Sequence, residues 1–258
     1  MEQLVNFFVV GVQKGGTRAL SSYLRFHPNI QMSRGIELHY FDNEQIDWAA
    51  PARDHLHDQF DWSVSGVLRG EVTPIYLYWP DALKRLHDYN PKARLIVLLR
   101  HPVHRAFSHW RMETGRGLEE LTFEEAIQIG RERVRTAPNG AHRVFSYVER
   151  GFYSQQLERL FTLFPRSQVY FLRTDEFWLN PDAALAGIEG FIGLEPRKLL
   201  RCTQDLRTQT STLSEQARIL LLEQYASDII ETSRLTGLDL GDWLSDAYRE
   251  PMYSTEQE

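Results

Sequence analysis

Phe7-Phe8-Val9-Val10-Gly11-Val12-Gln13-Lys14-Gly15-Gly16-Thr17-Arg18-Ala19-Leu20 is the stretch on which the reading of this chain turns. Its first half is a near-continuous apolar run, the pattern of a strand buried on both faces, and residues 5–12 are predicted as that strand. Its second half opens an amphipathic helix over 17–26. There Leu20, Tyr23 and Leu24 share a face, and His27-Pro28 ends the pattern. Between the two lies Lys-Gly-Gly-Thr. Gly15 and Gly16 carry no side chains, so backbone N–H groups can approach an anion. A helix starting at Thr17 brings about half a positive charge to the same point. Lys14 adds a full charge and Thr17 a hydroxyl.

A magnesium-nucleotide loop needs Ser or Thr directly after its lysine, because that hydroxyl holds the metal. Here glycine follows Lys14, and no apolar strand ends in an aspartate suited to a second metal contact. The loop suits a phosphate-like group of lower charge, and a sulfuryl group fits. Its oxygens need cations and N–H donors without requiring a metal.

Outward from this stretch, strands are expected at 67–72, 95–99 and 169–172. Helices are expected at 80–89, 103–115, 122–135, 153–163, 181–192 and 214–234, the last opened by the capping-box spacing of Thr212 and Glu215. Apolar strands alternating with amphipathic helices predict an α/β fold with a central parallel sheet flanked by helices. No linker marks a boundary, so 1–258 reads as a single domain. Segments 45–66 and 136–150 read as long surface connections of the kind that form lids or substrate loops.

The net charge of −6 and pI near 5.9 speak against a general nucleic-acid partner. Leu4–Val12 is too short to span a bilayer and lacks a cleavage pattern. A single cysteine, Cys202, allows no internal disulfide and reads as a small side chain near a loop. A soluble, cytoplasmic protein is expected.

The strand at 95–99 runs into Arg100-His101-Pro102, with Ser108 about two turns into the following helix. On spacing alone, Arg100 reads as paired with a carboxylate and Ser108 as facing solvent. His101, His104 and His109 do not align on one helix face, so no metal is expected there. Trp48, Trp62, Tyr76, Tyr78 and Trp79 read as core, with Trp48 and Trp62 also placed where a sugar could stack.

Several ordered motifs together resemble the sulfotransferases that use 3′-phosphoadenosine 5′-phosphosulfate (PAPS), nearest to the heparan-sulfate glucosaminyl type and its bacterial relatives. They are Gly11–Thr17, Glu37-Leu38-His39-Tyr40-Phe41-Asp42, Gly70–Tyr76, Arg100-His101-Pro102 through Ser108, and Arg150–Tyr153 with Gln156-Leu157 and Phe164-Pro165. The resemblance covers about residues 5–195. It implies a nucleotide-kinase-like (P-loop-like) sulfotransferase fold, with PAPS as co-substrate, PAP as product and no metal. It implies that Lys14, Gly15, Gly16, Thr17 and Arg18 surround the 5′-phosphosulfate and that Arg100 and Ser108 take the 3′-phosphate. Glu37 is then the expected base. His39, two residues on, would share its face if the piece is extended, and an imidazole is also a competent base. Lys14 would stabilise charge on the leaving oxygen, and Asp42 or Glu71 would orient groups nearby. The chain departs from that type at Val72, which replaces a lysine, in lacking a cysteine pair, and in a C-terminal Lys-Gly-Arg segment for which Arg207 is the nearest counterpart. The expected acceptor is a hydroxyl or amine of a small molecule or carbohydrate. A magnesium-dependent small-molecule kinase and a non-catalytic nucleotide-binding protein are the alternatives.

Overall fold

The structure, a computed structural model, describes residues 3–197 and 212–251; Cys202 and Arg207 lie outside them. The described residues form two compact units, one of 3–99 with 160–197 and one of 100–159 with 212–251.

The first unit is built on five parallel strands in the order β2-β3-β1-β4-β5. These are β1 (Phe7–Gly11), β2 (Ile30–Met32), β3 (Leu68–Val72), β4 (Arg94–Leu99) and β5 (Val169–Arg173). β1 is central and wholly buried, as its unbroken apolar run requires. Phe7 and Val9 face a core with Leu20, Leu24, Ile96 and Ile188. On the other side Phe8 meets Phe41 and Tyr89 edge-on, at ring separations of 5.6 and 6.3 Å. Each such ring contributes about 1.5–3 kcal/mol by leaving water. Helices α1 (Thr17–Arg25), α2 (Asp54–His57) and α3 (Ala82–Tyr89) lie between the strands in sequence.

The chain enters the second unit at Arg100. It holds α4 (Pro102–Gly115), α5 (Phe123–Arg135), most of α6 (Tyr153–Phe161) and, later in the chain, α9 (Glu215–Thr236). α5 begins with a full capping box: Glu125 N donates to Thr122 Oγ1 at 3.3 Å, and Thr122 N to Glu125 Oε2 at 2.9 Å. The remaining helices of the first unit are α7 (Thr174–Leu179) and α8 (Pro181–Ile192).

The parallel sheet, its strands and the longer helices follow the expected plan. Three local expectations are corrected. β2 and α7 have three and six residues, too few to carry a periodicity, and both were missed. The last helix is capped by Ser214, whose Oγ accepts from Ala217 N at 3.2 Å, rather than by Thr212. The segment 136–150 is not all surface: Ser146, Tyr147, Val148 and Arg150 are buried, with Arg150 Nε donating to Ser146 Oγ at 2.7 Å.

Candidate functional site

β1 ends beside β4, and the loop that follows is fastened to it: Val12 N donates to Leu98 O at 2.9 Å and Gly15 N to Val12 O at 2.8 Å. At Gly15 a Cβ would lie 2.8 Å from Val12 O and 2.9 Å from Leu98 O, both backbone atoms, so only glycine fits. Thr174 Oγ1, at the start of α7, donates to Gly15 O at 2.8 Å and closes the loop from the β5 side. Lys14 has φ 71° and Gly16 φ 85°, so the turn is left-handed on either side of Gly15. Gly16 is the N-cap of α1, which has no side-chain cap and no acidic residue in its first turn. The first N–H groups of a helix have no partner within it. Here they lie beside a lysine, at the positive end of the helix. A helix start of this kind beside a lysine can hold an anion.

Thr17 is buried and Arg18 exposed. Both stand in the first turn of α1.

The second cluster leaves the neighbouring strand. Phe7 and Val9 of β1 are in register with Gly70 and Val72 of β3, and Thr73 N donates to Val9 O at 3.2 Å. The turn after β3 therefore starts where the Lys14 loop also starts, at the carboxyl edge of the sheet, the edge at which ligands gather in parallel folds. Above it lie Glu37, His39 and Asp42. His39 Nδ1 is 2.9 Å from Asp42 Oδ2, and Asp42 is fully buried. A carboxylate oxygen only accepts, so Nδ1 carries a hydrogen and donates it to Asp42. That Nε2 stands 3.8 Å from Glu37 Oε2, with the His39 side chain 44% exposed. The gap is too long for a hydrogen bond but within ion-pair reach when the ring is protonated.

The expected extended backbone between Glu37 and His39 is not what brings them together. Both residues are left-handed, with φ 54° and 53°. The left-handed residues on either side of Leu38 place the two side chains together in a way that strand alternation cannot describe. Beside them, Tyr40, Phe41 and Trp48 line a cavity of about 300 Å³ with Arg53, Lys84 and Arg85. Arg85 lies over the Trp48 ring at 4.6 Å. Trp48 thus faces a cavity, whereas Tyr76 and Trp79 are core. Trp62 packs under Arg69 at 4.5 Å.

In the second unit, Arg100 is held by a carboxylate, as its spacing alone suggested. Its Nε donates to Glu250 Oε1 at 2.7 Å and its Nη2 to Glu250 Oε2 at 2.5 Å, a bidentate pair in which both side chains are mostly shielded from solvent. Tyr153 Oη donates to Arg100 O at 2.7 Å. Ser108 is half-buried two turns into α4. His101 stacks on Tyr248 at 4.6 Å and meets Trp243 O through Nε2 at 3.0 Å, while His109 packs on Tyr147 at 4.9 Å.

Sequence reasoning missed Thr174 and Glu250, and gave no role to the hydroxyls of Thr73 and Tyr76. Each reaches its partner across tens of residues or more, and no local spacing announces such a contact.

Comparison with known proteins follows the same lines. The model of the Sulfotransferase family matches residues 51–198. Heparan sulfate glucosamine 3-O-sulfotransferase 6 of Mus musculus is 32% identical over 188 residues, 72% of this chain and 52% of that protein. Heparan sulfate glucosamine 3-O-sulfotransferase 3B1 of Homo sapiens is 31% identical over 194 residues, 75% of this chain and 47% of that protein. The chain thus spans about half the length of the curated relatives it matches. The crystal structure of a sulfotransferase from Alicyclobacillus acidocaldarius superposes with a TM-score of 0.79 at 26% identity, covering 94% of this chain and 99% of that one.

Proposed function

The chain belongs to the sulfotransferase family, and from that premise we propose that it moves a sulfuryl group from PAPS to a hydroxyl or amine of a carbohydrate or small-molecule acceptor, releasing PAP. The observation that carries this reading is the Lys14 loop: a glycine cradle that no side chain can enter, at the uncapped start of α1. It has no hydroxyl after its lysine, the position from which a magnesium-nucleotide loop would hold its metal.

In this reading the donor supplies the activated sulfuryl group. Gly15, Gly16, Thr17 and Arg18 bind its phosphosulfate end with backbone N–H groups, hydroxyl and charge. Lys14 stabilises the negative charge that grows on the leaving oxygen. Arg100 and Ser108 are assigned to the 3′-phosphate; the Arg100 guanidinium would then exchange the Glu250 carboxylate for phosphate. On the acceptor side, His39 takes the hydroxyl proton at Nε2. Asp42 fixes the tautomer and stabilises the imidazolium, as a buried carboxylate does for a histidine base. Glu37, across the 3.8 Å gap, accepts or shares that proton. Both groups are retained as the base. Val72 stands at the end of β3 where the resemblance implies a lysine, and Lys14, after β1, supplies the cation in this reading. The aromatic and basic cavity around Trp48 is suited to a sugar or an anionic acceptor.

The two units are read as parts of one sulfotransferase domain, 1–258. A cytoplasmic location belongs to the same proposal, resting on the single cysteine, and cell fractionation tests it. Among the described residues, no helix is long and apolar enough to cross a membrane.

The deciding experiment is calorimetric titration with PAP and, separately, with ATP and magnesium. Tight binding of PAP with none of ATP–magnesium is expected. Preference for ATP–magnesium would replace this reading with a kinase.

A further inference from the structure

The backbone that carries Glu37 and His39 hangs from β3. Five successive N–H groups are accepted by β3 or the turn after it. Glu37 N donates to Val72 O at 3.1 Å. Leu38 N donates to Glu71 Oε1 at 3.3 Å, and His39 N to Thr73 Oγ1 at 3.4 Å. Tyr40 N and Phe41 N both donate to Tyr76 Oη, at 3.0 and 3.5 Å. A run broken by two left-handed residues can complete neither a helix nor a strand ladder, so side chains must satisfy its donors.

Glu71 lies at the centre of this arrangement. It is fully buried. Its Oε1 accepts from Leu38 N and also from Thr73 Oγ1, the atom that holds His39 N. Its Oε2 is buried and meets no hydrogen-bond partner among the described residues. A carboxyl group is an expensive choice for a site that needs only one acceptor oxygen. A role in setting the loop accounts for it.

We propose that Glu71 is a positioning residue for the site: through Leu38 N and Thr73 it fixes the left-handed backbone of residues 37–39, and so sets the His39 ring against Asp42 and Glu37. The consequence for catalysis rests on the reading of Glu37 and His39 given above; the positioning itself does not. Burial pushes the Glu71 carboxyl up to about 8. Thr73 and Leu38 pull it back, the neighbouring Asp42 charge adds to the rise, and His39 opposes it. Tyr76 also faces it and is itself pushed up, first by burial. Burial thus favours the uncharged acid at neutral pH. Ionisation would strengthen the bonds from Leu38 N and Thr73 and set a second negative charge beside Asp42.

The test compares Glu71→Gln, which reproduces the neutral acid, with Glu71→Leu, which removes the acceptor. The readout is the pair of ¹⁵N shifts of the His39 ring, assigned by their loss in His39→Asn, which report which nitrogen carries the hydrogen. Glu71→Gln is expected to give the ring shifts of the unmodified protein at pH 7, because its amide oxygen can accept from Leu38 N and Thr73 as the carboxyl oxygen does. Glu71→Leu is expected to mix the tautomers at every pH. A folded Glu71→Leu protein with unchanged shifts overturns the proposal, as does Glu71→Gln behaving like Glu71→Leu. If the leucine variant does not fold, Thr73→Val takes its place: it deprives His39 N of its acceptor, and unchanged shifts there overturn the proposal too. PAP titration of the same proteins separates the two questions. Failure of the unmodified protein to bind PAP removes the donor reading and leaves the tautomer result standing.

Discussion

Lys14, Glu37 and His39 are three of the four described residues other than glycine with positive φ, and all three were candidates for the chemistry. Left-handed backbone at such residues costs about 1–3 kcal/mol each and persists where the surrounding structure holds it. Here the holders are identifiable: Leu98 O and Thr174 for the lysine loop, Glu71, Thr73 and Tyr76 for the other. Lys14→Ala is expected to abolish sulfuryl transfer while circular dichroism and melting stay close to those of the unmodified protein; turnover in a folded variant would remove the loop from the mechanism. Arg100 gives a test with two signs. Arg100→Ala should weaken PAP binding at least tenfold, about 1.4 kcal/mol. Glu250→Gln should tighten it, because the phosphate then displaces a neutral amide rather than a carboxylate. Calorimetry reads both, and unchanged affinity in Arg100→Ala would move the 3′-phosphate elsewhere.

The loop between β1 and α1 is the element on which the proposed donor site depends. Its geometry leaves one residue no freedom. In Gly15→Ala the methyl would press on two carbonyl oxygens at 2.8 and 2.9 Å, which cannot move without opening the Val12–Leu98 link to β4. The variant is expected to fold on its sheet and to lose PAP affinity by tenfold or more, roughly 1.4 kcal/mol; affinity equal to that of the unmodified protein would show that the cradle is not the anion site. Much at this scale was legible. The apolar runs of β1, β4 and β5 and the periodicity of α1, α4, α5 and α8 came through because each is long enough to repeat its pattern. β2 was not legible, because its three residues are a strand only by pairing with Leu68, Arg69 and Gly70. Nor was the shape of the Glu37–His39 piece, since its donors are taken by side chains more than thirty positions away.

At the scale of the whole molecule, each unit carries a titratable group that makes stability depend on pH. In the first, Glu71 ionises near 8 when folded but near 4.5 when free. The unfolded chain therefore releases this proton first, and stability falls as pH rises from about 4.5 to 8. In the second, His104 is pushed down, chiefly by burial. Its neutral form is favoured by folding, and stability falls as pH drops below the ordinary histidine range. The two slopes oppose each other below the ordinary histidine range, so the Glu71 contribution is read as the fall in stability between about pH 6.5 and 8. Melting followed over that range should show the fall in the unmodified protein and not in Glu71→Gln, and an unchanged slope would mean that the buried carboxyl is ionised in the folded protein.

The order of apolar runs and amphipathic stretches, set by backbone hydrogen bonding and burial, was enough to specify a parallel α/β sheet. Lys14, Gly15, Gly16 and Thr17 marked the turn between β1 and α1, because glycines at a helix start are local signals. Glu37, His39 and Asp42 were named as candidates by a family resemblance, but not their arrangement. That His39 Nδ1 meets Asp42, that Glu71 is buried beneath Leu38 and Thr73, and that Glu250 engages Arg100 were decided only by the tertiary structure. Each depends on atoms that folding brings together from distant parts of the chain, where burial and hydrogen bonding act on them jointly.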